Sequence, residues 1–375
     1  MSSIHFNKEK GSKLKLFTPG PVQVPERILK EMAKPNDTHR SMAYEEMHQQ
    51  VIENLKQLFY TKNECFLFTS SATGVMEACV RNLIRKDEKA LVLSIGAFGN
   101  RWYDIALSNG KNVIKKEVEW GKALTLDNVQ DFLSEGKYSV VLLQSNETST
   151  GVYNPLEEIM PAIKDTGALI CVDATSSLGG IKLEVDKLNI DVCLASVQKC
   201  LALPPGLAVC SISNKALEKA KMVKNRGYYF DFLAIQKKNK LNQTINTPPI
   251  PHIRALLAQL DYILKEESLE KRFKRHEQLG KRTRIWVRDM GLEMFSERGY
   301  ESNTVSTIKN TLDIDLEEMI FRMLLKGYRI TNGYGKLKNK TFRIGHMGEI
   351  TLEKLEEMLK VLTDVIAELR LEKMK

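Results

Sequence analysis

The stretch ASVQKCLALPPGLAV, Ala195–Val209, places one lysine, Lys199, between two apolar runs and beside the turn Pro204-Pro-Gly206. Burying an unpaired ammonium is costly, so a lysine in such a place has a partner or a chemical task. Its apolar neighbours predict an ammonium with a depressed pKa, the state in which an amine acts as nucleophile or base. The flanking runs, Asp191-Val-Cys-Leu194 and Leu207-Ala-Val-Cys210, read as strands. So do Cys65-Phe-Leu-Phe68, Ala90-Leu-Val-Leu93, Ser139-Val-Val-Leu-Leu143 and Leu169-Ile-Cys-Val172. These runs are almost continuously hydrophobic, as strands covered on both faces are, and helical spacing at 51–59 and 75–84 separates some of them. The pattern predicts an α/β fold with a mostly parallel sheet.

Several strands end in small or polar residues: Thr69-Ser-Ser-Ala-Thr-Gly74, Ser145-Asn-Glu-Thr-Ser-Thr-Gly151 and Asp173-Ala-Thr-Ser-Ser-Leu-Gly-Gly180. Ligands of open α/β sheets bind outside the carboxyl ends of the strands, so these segments mark the expected site. Beyond about residue 250 long helices with polar faces dominate, and the Pro-rich Thr247-Pro-Pro-Ile-Pro251 precedes them. In the last helix Leu355, Met358, Leu359, Leu362, Ile366 and Leu369 mark one face. The expected organisation is an N-terminal arm, 1–15, packing with a small C-terminal α+β domain, 256–375, and a large α/β domain, 16–255, that carries the expected site.

With 375 residues, 43% of them hydrophobic and 27% charged, the composition is that of a globular protein. No apolar run approaches the ~20 residues of a membrane span. The opening MSSIHFNKEKGSKLK lacks an apolar core, so no signal peptide is read there and a cytoplasmic location is expected. The six cysteines form no C-x-x-C pair and sit mostly in apolar runs, which argues against disulfides and zinc. The net charge of +9 raises nucleic acid as a partner, and the densest basic run is Lys271–Arg284, KRFKRHEQLGKRTR. A mostly acidic segment precedes it and no nucleic-acid motif accompanies it, so it is read as a solvated helix face.

Taken singly, the site clues are weak. Ser and Thr cap many helices, although Ser70–Gly74 between a strand and a helix would also suit a phosphate. An aspartate at a strand end, here Asp173, is usually a turn former, and a lysine near it can be a structural ion pair. Jointly they are what pyridoxal phosphate requires: a phosphate cradle, an acid for a ring nitrogen and a lysine able to form an imine. No G-x-G-x-x-G follows the early strands and no P-loop motif occurs.

The chain resembles the class V aminotransferases, the fold-type I group that includes alanine–glyoxylate and serine–pyruvate aminotransferases. The resemblance runs from Phe17-Thr-Pro-Gly-Pro21 to Phe342-Arg-Ile-Gly-His-Met-Gly348. Between them lie Ser71-Ala-Thr-Gly74, Phe98-Gly-Asn-Arg-Trp102, Asn146–Gly151, Val172–Gly180 and Gln198–Gly206. It implies pyridoxal 5'-phosphate as cofactor and a transaminase moving the amino group of serine or alanine to glyoxylate or pyruvate. The alternative is an acidic donor (aspartate, glutamate or phosphoserine), for which Arg40 and Arg101 are candidate second anchors.

The same resemblance assigns roles. Lys199 would be the Schiff-base lysine and proton carrier, Asp173 the partner of the pyridine nitrogen, and Phe98 the stacking aromatic. Ser71, Ala72, Thr73 and Gln198 would lie at the phosphate, Thr148 near the 3-hydroxyl, and Arg343 at the substrate carboxylate. Gly20, with His39-Arg-Ser41, would border the substrate pocket. Thr247 would reach the phosphate of a neighbouring subunit, which implies a homodimer with shared active sites. Two departures stand out: Ala72 replaces a frequent glycine, and Thr244 replaces a frequent tyrosine. A cysteine desulfurase is disfavoured, because Cys200 sits in an apolar run and the stacking aromatic is phenylalanine. A non-catalytic relative is disfavoured because Lys199, Asp173 and Arg343 are all present.

Overall fold

The structure, a computed structural model, describes residues 14–374. Its centre is a seven-stranded sheet of β1 (Glu64–Phe68), β2 (Lys89–Ser94), β3 (Asn112–Glu117), β4 (Val140–Gln144), β5 (Leu169–Asp173), β6 (Val192–Ser196) and β7 (Ala208–Ile212). The spatial order is β1-β7-β6-β5-β4-β2-β3. Only β7 runs against its neighbours, so the other six strands share one direction and one carboxyl edge.

Alternate residues of these strands feed two cores. Leu91, Leu93, Val141, Leu143, Ile170 and Val172 enter one, with α1 (Met42–Phe59). Ala90, Val92, Val140, Leu142, Leu169 and Cys171 enter the other, with α2 (Ala72–Leu83) and α3 (Ala97–Ser108). Covering both faces is why the strands read as unbroken apolar runs. The exception is β3, Asn-Val-Ile-Lys-Lys-Glu, which the sequence reading missed. As an edge strand it buries only Val113, and a polar, partly exposed strand carries no apolar run to detect. All six cysteines are free and buried, as expected.

The first core reaches Leu269 through α4 (Ile250–Asp261) and the π-helical turn after it. A second sheet, β8 (Glu293–Met294), β9 (Val305–Lys309), β10 (Thr331–Asn332) and β11 (Thr341–Gly345), is ordered β8-β9-β11-β10. It packs with α5 (Leu269–Asp289), α6 (Leu316–Leu325) and α7 (Leu352–Lys373) around a third core that includes Phe17. The short strand Lys15–Leu16 pairs with Tyr328–Arg329 in this unit; the rest of the expected N-terminal arm lies mostly outside the described residues. The α7 face read from the sequence is buried as predicted.

One reading is corrected. The basic run Lys271–Arg284 is not simply a solvated face: Arg272, His276, Leu279, Gly280 and Thr283 of α5 are buried. The guanidinium of Arg272 is fully enclosed because Glu267 and Glu349 neutralise it. Among the described residues no helix is long and apolar enough to cross a membrane, and no His/Cys/Asp/Glu group could hold a metal.

Candidate active site

The carboxyl edge of the parallel strands carries the predicted chemistry. Asp173 ends β5 and is 6% exposed; its Oδ1 accepts the Thr175 N–H at 2.8 Å. Burial pushes its carboxyl above the usual range, although Thr175, Lys199 and Arg101 pull the other way. Lys199 lies three residues beyond β6, is 8% exposed and makes no ion pair among the described residues. Its ammonium donates to the carbonyl of Pro19. Burial, and then the nearby charge of Arg343, lowers its pKa to about 8. A buried amine that loses its proton so much more readily than an ordinary lysine is suited to nucleophilic attack and proton transfer.

Gly20 backs this lysine. Its φ of +115° is a glycine conformation, and a Cβ there would stand 2.5 Å from Lys199 Cδ. The ring of Phe98, on the first turn of α3, has its centroid 5.8 Å from Lys199 Nζ. The aromatic face and the amine therefore bound one space.

At the end of β1 the chain turns into α2. Ser71 is the N-cap residue, but its side chain makes no capping bond; the Gly74 N–H donates to Ser71 O, which leaves the Ser71 hydroxyl and the Ala72 and Thr73 amides available to an anion. Ala72 is the first helical residue and is not among the positive-φ positions, so its Cβ brings no backbone strain. Thr73 Oγ1 accepts from Arg101 Nη1 at 3.3 Å. Gln198, beside the lysine, accepts a hydrogen bond from Ser196 Oγ.

Arg343 comes from the second sheet. It sits on β11, 7% exposed, donating to Asn332 O at 3.1 Å and to Thr148 O at 3.3 Å. No carboxylate pairs with it among the described residues, and burial lowers its pKa to about 10, leaving it charged at neutral pH. A planar cation held by two carbonyls and lacking a carboxylate is prepared to receive one. Thr148 is buried and donates to Ser176 Oγ at 2.9 Å.

Three more residues complete the site, two of them, Glu147 and Tyr334, without a role assigned from the sequence. Glu147 is buried and accepts the N–H groups of Phe98 and Gly99 at 3.0 and 3.1 Å, fixing the start of the helix that carries Phe98. Burial pushes its carboxyl up, opposed by these bonds and by Ser149. Tyr334 stacks on Phe98 at 5.5 Å, and the Arg101 guanidinium lies 4.6 Å from the same ring and donates to Tyr334 Oη at 3.2 Å. Arg101 was only a candidate anchor, and the Asn146–Gly151 motif had pointed at Thr148 rather than Glu147. Tyr334 sits in a segment without a sequence signal of its own.

The structure does not bring every predicted residue to this space. Thr247 is exposed and makes no side-chain hydrogen bond among the described residues. Arg40 is tied to Gln243 Oε1 at 2.8 Å and to Thr244 O, while His39 is half-buried beside it. Thr244 itself donates to Asn246 O.

Residues 16–312 match the family model described as aminotransferase class-V. The chain is 40% identical over 339 residues to the uncharacterized aminotransferase MJ0959 of Methanocaldococcus jannaschii, covering 89% of this chain and 87% of that one. It is 32% identical to a serine–glyoxylate aminotransferase of Methylorubrum extorquens, with 89% and 86% covered. The crystal structure of an alanine–glyoxylate aminotransferase from Nostoc sp. superposes with a TM-score of 0.90 at 27% identity, covering 96% of each chain. This chain is therefore a class V aminotransferase of fold type I, a transaminase.

Proposed function

We propose that this transaminase uses pyridoxal phosphate to move the amino group of serine or alanine to glyoxylate or pyruvate. The observation that carries the reading is the buried amine of Lys199, without an ion-pair partner among the described residues and set among Asp173, Phe98 and Arg343. The residues present fit the cofactor. The uncapped start of α2 offers donors to a phosphate, Asp173 offers a buried acceptor to a ring N–H, and Thr175 Oγ1 is buried there without a hydrogen-bond partner among the described residues. When bound, the cofactor supplies an aldehyde for attachment and a conjugated ring that takes up the electron pair left at the substrate Cα.

The chain's own residues do the rest. Asp173 holds the proton on the ring nitrogen, and the positive charge beside it favours the ionised carboxylate that burial otherwise opposes. Phe98 covers one ring face and excludes water from it. Arg343 grips the substrate carboxylate and so fixes Cα beside Lys199, whose amine takes the Cα proton and returns it on the cofactor side. Ser71, Ala72, Thr73 and Gln198 hold the phosphate, Thr148 lies near the 3-hydroxyl, and Gly20 leaves room beside the amine. Thr247 serves the site of a second copy in a homodimer.

A serine–glyoxylate relative and an alanine–glyoxylate neighbour support a small donor. An acidic donor is the second reading, favoured by Arg101, which makes no ion pair among the described residues and adjoins Phe98 and Tyr334. Desulfurase chemistry is disfavoured, because burial raises the Cys200 thiol to about 11. The test is a half-reaction screen that follows the visible absorbance of the loaded protein. Bleaching by serine or alanine, reversed by glyoxylate or pyruvate, supports the small-donor reading. Bleaching only by aspartate, glutamate or phosphoserine moves the assignment to the acidic branch.

A further inference from the structure

The loops behind Asp173, Lys199 and Arg343 meet at one side chain that the proposed chemistry does not use. Arg272, on the second turn of α5, is 0% exposed. Its Nε donates to Gly179 O at 2.8 Å, in the loop that follows Asp173. Its Nη2 donates to Cys200 O at 2.5 Å, the carbonyl next to Lys199, and lies 3.4 Å from Gly348 O, five residues after Arg343. Its Nη1 meets Glu267 at 2.5 Å and Glu349 at 3.1 Å.

These loops are pressed together around it. A Cβ on Gly180 would stand 2.7 Å from Cys200 Sγ, and one on Gly348 would stand 3.3 Å from Ala202 Cβ. Neutralising the two carboxylates does not explain the arginine, because Glu267 is also paired with Arg275 at 2.8 Å and Glu349 with Arg27 at 3.4 Å. What only a planar fork does here is donate to three backbone carbonyls from three loops while two carboxylates hold it in plane.

We infer that Arg272 is a positioning residue that fixes the Lys199 loop relative to Asp173. The inference rests on the role proposed for Lys199. Arg343 keeps its own anchors at Asn332 and Thr148, so loosening the Arg272 contacts displaces the amine more than the carboxylate grip.

The test is Arg272→Lys, which keeps the charge for Glu267 and Glu349 but cannot reach all three carbonyls. Leu362→Ala, a core truncation in α7, serves as a control that lowers stability away from these loops. In Arg272→Lys, kcat falls and the dissociation constant for pyridoxal phosphate rises, each on the order of 10-fold or more, for a displaced reacting group. KM for the amino donor stays within about twofold, the split expected when carboxylate binding is spared. Leu362→Ala loses Tm without either change. Arg272→Lys that loses Tm but keeps kcat and cofactor affinity within about twofold of the parent overturns the inference. If Arg272→Lys does not fold, the double variant R272M/E349Q, which removes the charge together with one carboxylate, is read by the same criteria. Turnover that survives Lys199→Ala would instead remove the premise, so the two failures are told apart.

Discussion

Lys199 and Arg272 are both buried against the same group of loops, and their surroundings are opposite. Lys199 donates to one carbonyl, has no carboxylate partner among the described residues, and is driven toward neutrality at about pH 8. Arg272 is at least as deeply buried, yet its guanidinium is held above its ordinary range. Burial opposes the charge there, but Glu349 and Glu267 outweigh it. The desolvation is shared and the compensation is not. The buried lysine left without counter-charge becomes a reactive amine, and the arginine with every donor engaged becomes a fixed point of the structure.

The strongest way to break this contrast is to remove the reactive partner. Lys199→Ala is expected to abolish turnover, by about 10,000-fold or more, because the proton carrier and the attachment point are lost together. The far-ultraviolet circular dichroism and Tm should remain those of a folded protein, since no ion pair among the described residues is broken. Transaminase activity at the parental level would refute the assignment. Next in size is Arg343→Ala. Losing a buried carboxylate anchor costs about 3 kcal/mol, on the order of 100-fold in kcat/KM, and should appear mainly as a raised KM. An unchanged KM for every amino acid tested would take that role from Arg343.

The depressed pKa of Lys199 sharpens the same contrast through pH. In the unfolded chain the amine keeps its ordinary value of 10.5, whereas in the folded chain it titrates at about 8. Between those values the unfolded chain holds the extra proton, so folding is favoured as pH rises. Relative to Lys199→Met, the cofactor-free protein should gain stability from about pH 8 to 10.5, by at most about 3 kcal/mol, and should show no such trend below pH 8. Denaturant titrations of both proteins across this range check it. Capture of pyridoxal phosphate should likewise become half-maximal in rate near pH 8. A midpoint above pH 10 would mean that the amine is neither desolvated nor crowded by Arg343.

The contrast also explains what was legible in the sequence. The edge of the parallel sheet announces itself because continuous apolar strands end abruptly in Ser71, Thr148 and Asp173, and because Lys199 interrupts an apolar run. Burial and chemistry conflict there, and the conflict is visible residue by residue. Arg272 was hidden because its neighbours Lys271, Lys274 and Arg275 are also cationic, and composition alone makes the segment look solvated. The signal was in the spacing: Leu269, Arg272, His276, Leu279, Thr283 and Trp286 fall on one helical face, with polar residues occupying core positions. Glu267 and Glu349, which make that burial tolerable, are separated from each other by more than eighty residues of chain, so no local reading pairs them with Arg272. β3 escaped for the reverse reason, an edge strand with too little buried surface to leave a pattern.

The smallest expected effect tests whether the site is complete within one chain. Thr247 is exposed, follows no strand of the sheet, and has no side-chain hydrogen bond within its own chain among the described residues. If it reaches the phosphate of a second copy, Thr247→Ala should weaken pyridoxal phosphate binding by about 1 kcal/mol, on the order of 5-fold, the value of one hydrogen bond. The deficit should be made good in trans. In mixed dimers of Thr247→Ala with Lys199→Ala, the site that keeps its lysine lies in the Thr247→Ala subunit. The threonine facing it comes from the other subunit and is intact. Such mixtures should therefore contain lysine-bearing sites of parental affinity alongside the weakened ones, giving a two-phase cofactor titration. A single weak phase at every mixing ratio would place Thr247 in its own subunit's site, or in none, and the shared-site dimer would fall with it.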